Sequence, residues 1–228
     1  MGLRDFSWRR PIGSYSKVQG LLSRLRRNRG WQAEASRLAG KHYLDVGCGP
    51  NTHAAFINLD YDWYPGVDVC WDIARGLPLA AGSVQGIFSE HCLEHFSLPT
   101  VRFVLQEFRR VLRPGGTLRI IVPDAQHYLD LYARRMAGEQ TEDFPYEDAI
   151  REMGLSAPLL SVNRVFYVDR ASPAGHRCMF DFALLSELVA KAGFGEVRRE
   201  AYRTGRDAGL LIDSEHRRVE SLYLEAIR

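Results

Sequence analysis

Cysteine is scarce in this sequence, and its spacing excludes two common structural frameworks. Among the 228 residues, Cys48, Cys70, Cys92 and Cys178 form no C-x-x-C pair, so we expect no structural zinc site built on cysteine. A disulfide framework is not expected either, because a chain of this length buries enough apolar surface to fold without cross-links. The pattern is typical of reduced thiols in a cytosolic enzyme.

Long apolar runs are also missing. No stretch reaches the roughly 18 apolar residues that a membrane-spanning helix requires, so no transmembrane segment is expected. Arg4, Arg9 and Arg10 stand near the N-terminus without an apolar run behind them, which argues against a secretory signal. We therefore expect a cytoplasmic protein, and a peripheral contact with a membrane stays open because of the charge described next.

Positive charge is concentrated in the first 30 residues. That segment holds eight basic side chains and one acidic side chain, Asp5, a balance of +7, so the net charge of +2 leaves −5 for the rest of the chain. The basic residues are Arg4, Arg9, Arg10, Lys17, Arg24, Arg26, Arg27 and Arg29. Val18, Leu21, Leu22 and Leu25 have helical spacing. We interpret residues 1–40 as a basic helical extension, which either contacts an anionic surface or packs along the domain.

Predicted strands and helices alternate after residue 40. Strands are predicted at residues 41–46, 55–60, 67–70, 84–90 and 117–124, and two closing strands at residues 197–204 and 221–228. Helices are predicted from Pro99 to the RPGG segment at residues 113–116, which would end the helix, and over residues 181–193. This order predicts an α/β fold with a mainly parallel sheet and an antiparallel edge.

A glycine turn follows the first predicted strand in the segment YLDVGCGP. Gly47 and Gly49 let the backbone turn tightly and approach a ligand, and Asp45 stands just before them. Ligands of open α/β sheets bind beyond the carboxyl ends of the strands, near the first crossover. Asp60 ends the next strand, where a carboxylate can bind ribose hydroxyls, and Asp72 follows the third strand, near an adenine edge. Together these features indicate an adenosine-containing ligand.

The order of these motifs, continued by FSEHCLEHF at residues 88–96 and FRRVLRPGGTLRIIVPD at residues 108–124, resembles class I S-adenosylmethionine (SAM) dependent methyltransferases. It is most similar to small predicted methyltransferases with LEHF and RVLRPGG segments. The resemblance implies a Rossmann-like fold, with a seven-stranded, mostly parallel sheet and one antiparallel strand. It also implies a SAM-binding domain over residues 41–228, in which residues 125–175 form a cap over the acceptor side.

The same resemblance implies a set of site residues. The cofactor positions are Asp45, Gly47, Cys48 and Gly49 in the first loop, Asp60 at the ribose, Asp72 and Ile73 at the adenine, and Ser89 and Glu90 near the methionine end. His91 follows them and is the candidate general base, since a neutral imidazole with a pKa of about 6.5 can take a proton from a hydroxyl.

The first crossover departs from the family pattern. Only nine residues separate Val46 from Phe56, whereas a parallel crossover usually takes a dozen or more residues with a helix. We therefore expect a shortened first crossover. Thr52 occupies the place of the third glycine of a dinucleotide fingerprint. A pyrophosphate needs a helix N-terminus and SAM has no phosphate, so both points favour SAM over NAD or FAD.

The string HCLEH, residues 91–95, has a second interpretation. It matches the inverted zinc-protease pattern, so a zinc hydrolase using His91, Glu94 and His95 is an alternative. A zinc site also needs a distant third ligand, and in this context we expect no metal and a structural role for Glu94 and His95. The N/D-P-P-Y/F motif, typical of methylation at amide or base nitrogens, is missing here, which favours an oxygen acceptor.

Two groups of residues are candidates for contact with the methyl acceptor. Aromatic side chains between residues 125 and 175 offer either a stacking surface or the core of a lid, namely Tyr128, Tyr132, Phe144, Tyr146, Phe166 and Tyr167. His176 and Arg177 would contact an acidic or polyhydroxylated acceptor, or pair with local carboxylates. Three hypotheses stay open: methylation of a hydroxyl on a small molecule or glycan, methylation of RNA or protein held by the basic arm, and a non-catalytic SAM-binding scaffold. The third is disfavoured because every expected cofactor position is filled.

Overall fold

A seven-stranded sheet organises the part of the chain that the computed structural model describes, which is residues 17–29, 38–142, 144–145, 154, 157–166 and 175–228. The strands are β1 (Tyr43–Val46), β2 (Phe56–Asp60), β3 (Val69–Cys70), β4 (Val84–Glu90), β5 (Leu112–Pro123), β6 (Gly195–Glu200) and β7 (Ser221–Ile227). Their order is β3-β2-β1-β4-β5-β7-β6, and β7 runs antiparallel to both of its neighbours. The other neighbouring pairs are parallel, which confirms the expected sheet.

Five α-helices accompany the strands in the described residues. They are α1 (Lys17–Arg26), α2 (Leu98–Val111), α3 (Ala125–Met136), α4 (Leu159–Phe166) and α5 (Phe182–Lys191). Side-chain caps begin two of them: Asp124 accepts from the amide of Gln126, and Asp181 accepts from the amide of Leu184. None of the helices in these ranges is long and apolar enough to cross a membrane.

The RPGG segment was wrongly predicted to lie outside the sheet. Helix α2 does end at Val111, but β5 begins at Leu112, which pairs with Val84, rather than at Thr117. The register shifts beside this pair, and Gly115 has a φ of +76°. A Cβ on Gly116 would lie 2.7 Å from the carbonyl oxygen of Gln85. Glycine thus serves here for close strand approach at a bulge, and its usual meaning as a breaker is misleading.

Other strand boundaries also differ from the prediction. Strand β3 spans only Val69–Cys70, and β6 spans Gly195–Glu200 instead of residues 197–204. After Glu200 the chain leaves the sheet and forms the connection between β6 and β7, which covers one sheet face.

One face of the sheet packs against helices α2 and α5. Helix α2 buries the five apolar positions that its spacing predicted, Val101, Val104, Leu105, Phe108 and Val111. They meet alternate residues of the strands, including Leu44, Ile87 and Ile120, in the largest apolar cluster. This helix layer supports the central strands from one side of the sheet.

The opposite face has no crossover helix over β1 and β2. Residues 47–55 form turns only, which confirms the shortened first crossover. The connection between β6 and β7, residues 201–220, covers this face instead, and its Leu210 packs in a cluster with Phe56, Phe88 and Tyr223. The hydroxyl of Tyr43 donates to Asp207 in the same connection. This long hairpin connection therefore covers the face that a first crossover helix would cover.

A buried arginine fastens this connection to the sheet. Arg119 on β5 is fully buried, and its Nε lies 2.7 Å from Oδ1 of Asp213. Its Nη1 donates to Glu225 at 2.9 Å and to the carbonyl of Thr204, and its Nη2 donates to Oδ2 of Asp213 and to the carbonyl of Ala201. All five guanidinium donors are thus used, and two carboxylates share one positive charge inside the protein.

Helices α3 and α4 form a small core of their own. It contains Tyr128, Phe144 and Phe166, three of the aromatic residues expected at the acceptor side, and Tyr132 packs partly buried against it. Their rings are therefore core in this structure. Tyr146 and Tyr167 lie outside the described residues, as do residues 1–16 and 30–37 of the basic extension.

Candidate functional site

Three carboxylates lie at the carboxyl ends of neighbouring parallel strands. Asp45 is on β1, Asp60 ends β2 and Glu90 ends β4. Asp45 pairs with Asn58 and Phe88, each two residues before one of the other acids, so all three side chains are on the same sheet face. Within the described ranges, none of the three is ion-paired with lysine or arginine. This concentration of negative charge suits a cationic ligand.

Asp60 holds the glycine turn. Its Oδ2 accepts from the amide of Gly49 at 2.8 Å and its Oδ1 from the amide of Asp62 at 2.7 Å. Burial raises the pKa of Asp60 to about 6, although these two amides lower it. A carboxylate offers about four lone-pair positions, so Asp60 can still accept from two hydroxyl groups.

Asp45 is a buried carboxylate that makes no side-chain hydrogen bond within the described part of the chain. Burial is the main cause that raises its pKa, and the neighbouring Glu90 and Asp60 raise it further. Burial, assisted by Asp45, also raises the pKa of the Cys48 thiol. The Cys48 thiol, buried within the turn, is therefore disfavoured as a nucleophile.

The two glycines of the turn are required for different reasons. Gly47 has a φ of +81°, and a Cβ there would lie 2.8 Å from Cβ and Sγ of Cys92. Gly49 has a φ of +55°, and nothing lies within 4 Å of the Cβ it lacks. The first glycine permits close packing, and the second faces open space that a ligand can use. The side chain of Asp45, which makes no hydrogen bond in the described structure, lies at the same turn, and its carboxyl group can accept from polar groups of an adenosyl ligand.

Asp72 lies next to the end of β2, because the amide of Trp71 donates to the carbonyl of Asp60. Its Oδ1 caps the 3-10 turn Ile73–Arg75 by accepting from the amide of Ala74 at 3.0 Å. The side chain of Ile73 is buried in the main core, so only its backbone is available to a ligand.

Helix α1 lies along the exits of β2 and β3. Ser23 and Gln19 bond to the backbone of Trp63, and Oδ1 of Asn28 accepts from the amide of Asp72. The guanidinium groups of Arg26 and Arg27 stack on Trp63 and Tyr61, 4.2 and 3.5 Å from the ring centroids. The sequence predicted a helix with one face to bury; its site beside Asp72 had no sequence signal.

The exit of β4 is tied to the β6–β7 connection. Glu90 accepts from the amide of Ser214 at 3.0 Å and from its hydroxyl at 2.5 Å. The hydroxyl of Ser89 is buried and has no partner in the described structure. Ser214 stands 124 residues from Glu90 in the chain, so sequence spacing could not reveal this contact.

His91 is held at both ring nitrogens. Its Nε2 lies 2.8 Å from Oγ of Ser221, and Nη1 of Arg217 donates to its Nδ1 at 2.6 Å. A guanidinium only donates, so Nδ1 accepts and Nε2 carries the proton. Burial lowers the pKa of His91 well below its usual value, and Arg217 lowers it further. The residue has a φ of +48°, a strained conformation outside glycine.

Glu94, His95 and His176 come together behind His91. The carboxyl group of Glu94 is buried, and neither of its oxygens has a hydrogen bond among the described residues. Nδ1 of His91 is 3.4 Å and Nε2 of His176 is 4.0 Å from its Oε1. Burial raises the pKa of Glu94. The HCLEH string thus contributes Glu94 and His95 to one cluster, whereas His91 bonds elsewhere and the third member comes from residue 176.

Comparison with known proteins supports the fold. Residues 52–120 match a family model described as a methyltransferase domain, from the loop after β1 to the middle of β5. No curated protein matches the chain.

Solved methyltransferase structures resemble the chain at low sequence identity. A SAM-dependent methyltransferase from Archaeoglobus fulgidus is 16% identical over 92% of this chain and 94% of its own, with a TM-score of 0.49. A possible histamine N-methyltransferase from Thermotoga maritima is 16% identical over 92% and 93%, with a TM-score of 0.47. The 1,6-didemethyltoxoflavin-N1-methyltransferase of Burkholderia thailandensis is 17% identical over 86% and 76%, also with a TM-score of 0.47.

Proposed function

We propose that this chain is a class I methyltransferase, which its sheet order and the family match over residues 52–120 support, and that it transfers the methyl group of SAM to a hydroxyl oxygen of a small molecule or glycan. The observation that carries the proposal is the trio of carboxylates, Asp45, Asp60 and Glu90, around a glycine turn with open space beside Gly49. SAM carries a sulfonium and an ammonium group, so the unpaired carboxylates complement its charge.

The cofactor-binding residues of the proposal follow from this placement. Asp60 accepts from the ribose hydroxyls, and Asp72 with the backbone of Ile73 meets the adenine. Asp45 and Glu90 face the charged methionine end, beside Ser89. Gly47, Cys48 and Gly49 form the turn against which the cofactor lies.

When bound, SAM supplies a methyl group made electrophilic by the adjacent sulfonium. The acceptor hydroxyl would take this methyl group and would give up its proton to a base of the chain. The chain's task is to align the oxygen with that bond and to exclude water, and alignment can supply about 7–11 kcal/mol of barrier reduction.

His91 is the proposed base, and one of its hydrogen bonds must break before the ring can accept a proton. Nδ1 is the ring nitrogen that can take a proton, and Arg217 occupies it. We propose that an acceptor with carboxyl or several hydroxyl groups draws Arg217 away and frees Nδ1. A positioned base typically contributes 10²–10⁴-fold to the rate.

The decisive experiment for the reaction uses labelled methyl groups. Wild-type protein is incubated with methyl-labelled SAM and fractionated cell extract, and the labelled product is identified by mass spectrometry. An oxygen-methylated small molecule or glycan supports the proposal. A labelled RNA or protein would replace it with the alternative acceptor class, and consumption of no SAM with any fraction would favour a binding scaffold.

The base assignment has a separate test. His91→Ala should bind S-adenosylhomocysteine as wild type does but lose turnover by about 10²-fold or more, whereas His42→Ala, at an exposed histidine before β1, should keep both. Full turnover by His91→Ala on the true acceptor would remove His91 from the mechanism.

The basic segment supports a further part of the proposal, contact with an anionic surface. Arg24 and Arg29 are exposed, whereas Arg26 and Arg27 are engaged with Trp63 and Tyr61. Replacing Arg4, Arg9 and Arg10 together by glutamine should weaken sedimentation with phosphatidylserine vesicles, and salt should weaken it in the wild type. Equal sedimentation of both proteins would mean that the segment only packs along the domain.

A further inference from the structure

We propose that Glu94, His95 and His176 bind a divalent transition-metal ion, and that this ion holds the oxygen of the methyl acceptor. The role of the ion rests on the proposed function, whereas the metal site does not. The three residues offer one carboxylate oxygen and two imidazole nitrogens, all within 4.8 Å of one another. Donor atoms around a zinc-sized ion with bonds of about 2.0–2.2 Å lie roughly 3–4 Å apart, so the cluster is close to the size of a coordination shell.

The carboxyl group of Glu94 is the strongest sign of a missing cationic partner. Its side chain is 1% exposed, and both oxygens lack a hydrogen bond within the described residues. A buried carboxylate is normally satisfied by several donors or by a cation, because desolvation without such partners is costly. Glu94 is surrounded by His91, His95 and His176 instead, so a metal ion is the partner that the neighbouring groups can help to hold.

Backbone carbonyls fix both histidines in the form that a metal ion needs. Nδ1 of His176 is hydrogen-bonded to the carbonyl of Val165, and Nδ1 of His95 lies 3.4 Å from the carbonyl of Gly175. A carbonyl only accepts, so each Nδ1 carries the proton and each Nε2 keeps its lone pair. Metal-binding histidines in proteins are commonly oriented by this arrangement.

The two segments that carry the ligands are fastened to each other by the main chain. Amides of Arg177 and Cys178 donate to the carbonyl of Glu94, at 2.7 and 3.1 Å. His176 is thereby held against the 3-10 turn Leu93–His95. His95 and His176 are each partly exposed, so the described residues do not fully enclose the cluster. The site is thus built by tertiary contacts between distant segments.

The donor set indicates the class of ion and its role. Two imidazoles and one carboxylate suit Zn²⁺ and its first-row neighbours, and three protein ligands leave positions open for an external oxygen. Residues 90–95 connect the carboxylate trio directly to this cluster, so an acceptor oxygen held here lies beside the proposed cofactor site. The ion would lower the pKa of that hydroxyl without changing its own oxidation state.

Metal titration of the full chain tests the site without any methyl acceptor. Chelator-treated protein is titrated with ZnCl₂ by calorimetry and with CoCl₂ by visible absorption. We expect one equivalent of metal in the wild type and in His42→Asn, a matched change at an exposed histidine. Glu94→Gln and His176→Asn should bind at least about 100-fold more weakly. Circular dichroism verifies folding, and if Glu94→Gln does not fold, the half-buried His176→Asn carries the test.

The outcomes separate this inference from the proposed function. Absence of saturable metal uptake by the wild type, or uptake by folded His176→Asn equal to that of the wild type, overturns the metal site. S-adenosylhomocysteine binding is measured on the same metal-free protein. Cofactor binding without metal uptake would leave the methyltransferase proposal standing alone, and metal uptake without cofactor binding would do the opposite.

Discussion

Burying an acidic side chain costs free energy, and the raised pKa of Asp60 shows this cost within the site. Its two bonds to the amides of Gly49 and Asp62 keep the turn in place, and two lone-pair positions stay free. We expect Asp60→Ala to weaken SAM binding by about 1.5–3 kcal/mol, because charged hydrogen bonds to the ribose are lost. Calorimetry measures this, with Asp130→Ala on the exposed side of α3 as control. Unchanged affinity in Asp60→Ala would remove the residue from the site.

The pKa of Asp60 predicts how cofactor binding depends on pH. Burial raises it from 3.8 to about 6, so the carboxylate that would accept from the ribose hydroxyls is present above pH 6 and is protonated below it. Affinity for S-adenosylhomocysteine should therefore fall as the pH decreases from 7.5 to 5. Asp60→Asn should bind weakly and lose most of this dependence, and parallel pH profiles for the two proteins would contradict the assignment.

Folding stability responds to the same carboxyl group in the opposite sense. Because its folded-state pKa lies above the unfolded value, its contribution in the ligand-free protein is fully present below about pH 4 and is lost as the pH rises through about 6. Cofactor binding above pH 6 therefore offsets part of this loss of folding stability. We expect S-adenosylhomocysteine to raise the melting temperature more at pH 7.5 than at pH 5.

The position of the β6–β7 connection could not be predicted from sequence patterns. Residues 201–220 contain two short 3-10 turns, Ala208–Leu210 and Glu215–Arg217, but no α-helix and no strand, yet they cover the face above β1 and β4. A Cβ on Gly209 would lie 2.6 Å from Oη of Tyr43, and the same ring is already close to Gly86.

Gly209→Ala should therefore push this connection away from the sheet. We expect a loss of about 1–3 kcal/mol in the free energy of unfolding, as for overpacking in a core. Urea denaturation measures it. Gly195→Ala, where the nearest atom to a new Cβ is 3.9 Å away, should change stability much less, and equal effects of the two changes would argue against the close contact.

Elements with a strong hydrophobic periodicity were predictable from the sequence. Elements that are positioned by contacts between residues far apart in the chain were not. The spacing in α2 and the apolar strands β1, β2, β4 and β7 gave the sheet and its helix-covered face. The structure also places the glycine turn and the carboxylates Asp45 and Asp60 at neighbouring strand ends, as their local sequence context predicted, and their role in binding the cofactor stays a prediction. Ser214 and Arg217 were missed as partners of Glu90 and His91, since the connection that brings them there carries no periodic signal. His176 was expected to contact the acceptor or to pair with a local carboxylate, and its Nε2 lies 4.0 Å from Oε1 of Glu94.

Across the whole molecule, the buried Arg119 network joins the last strand and the last connection to the central sheet. Arg119→Met would leave Asp213 and Glu225 buried without their cation. We expect a loss of about 3–5 kcal/mol, measured by urea denaturation. Arg198→Met, which removes an exposed surface pair with Glu196, should stay within about 0.5 kcal/mol of the wild type. A small effect of Arg119→Met would mean that solvent reaches the two acids.

The replacement of a first crossover helix by the β6–β7 connection affects how the chain must be made. By the time residue 123 has left the ribosome, five of the seven strands are available, but Tyr43 and Phe88 still lack the residues that shield them from water. Those residues arrive almost a hundred positions later in translation. The nascent polypeptide thus presents a half-finished sheet with an uncovered apolar side for several seconds, and chaperones that hold such surfaces should bind it during this interval.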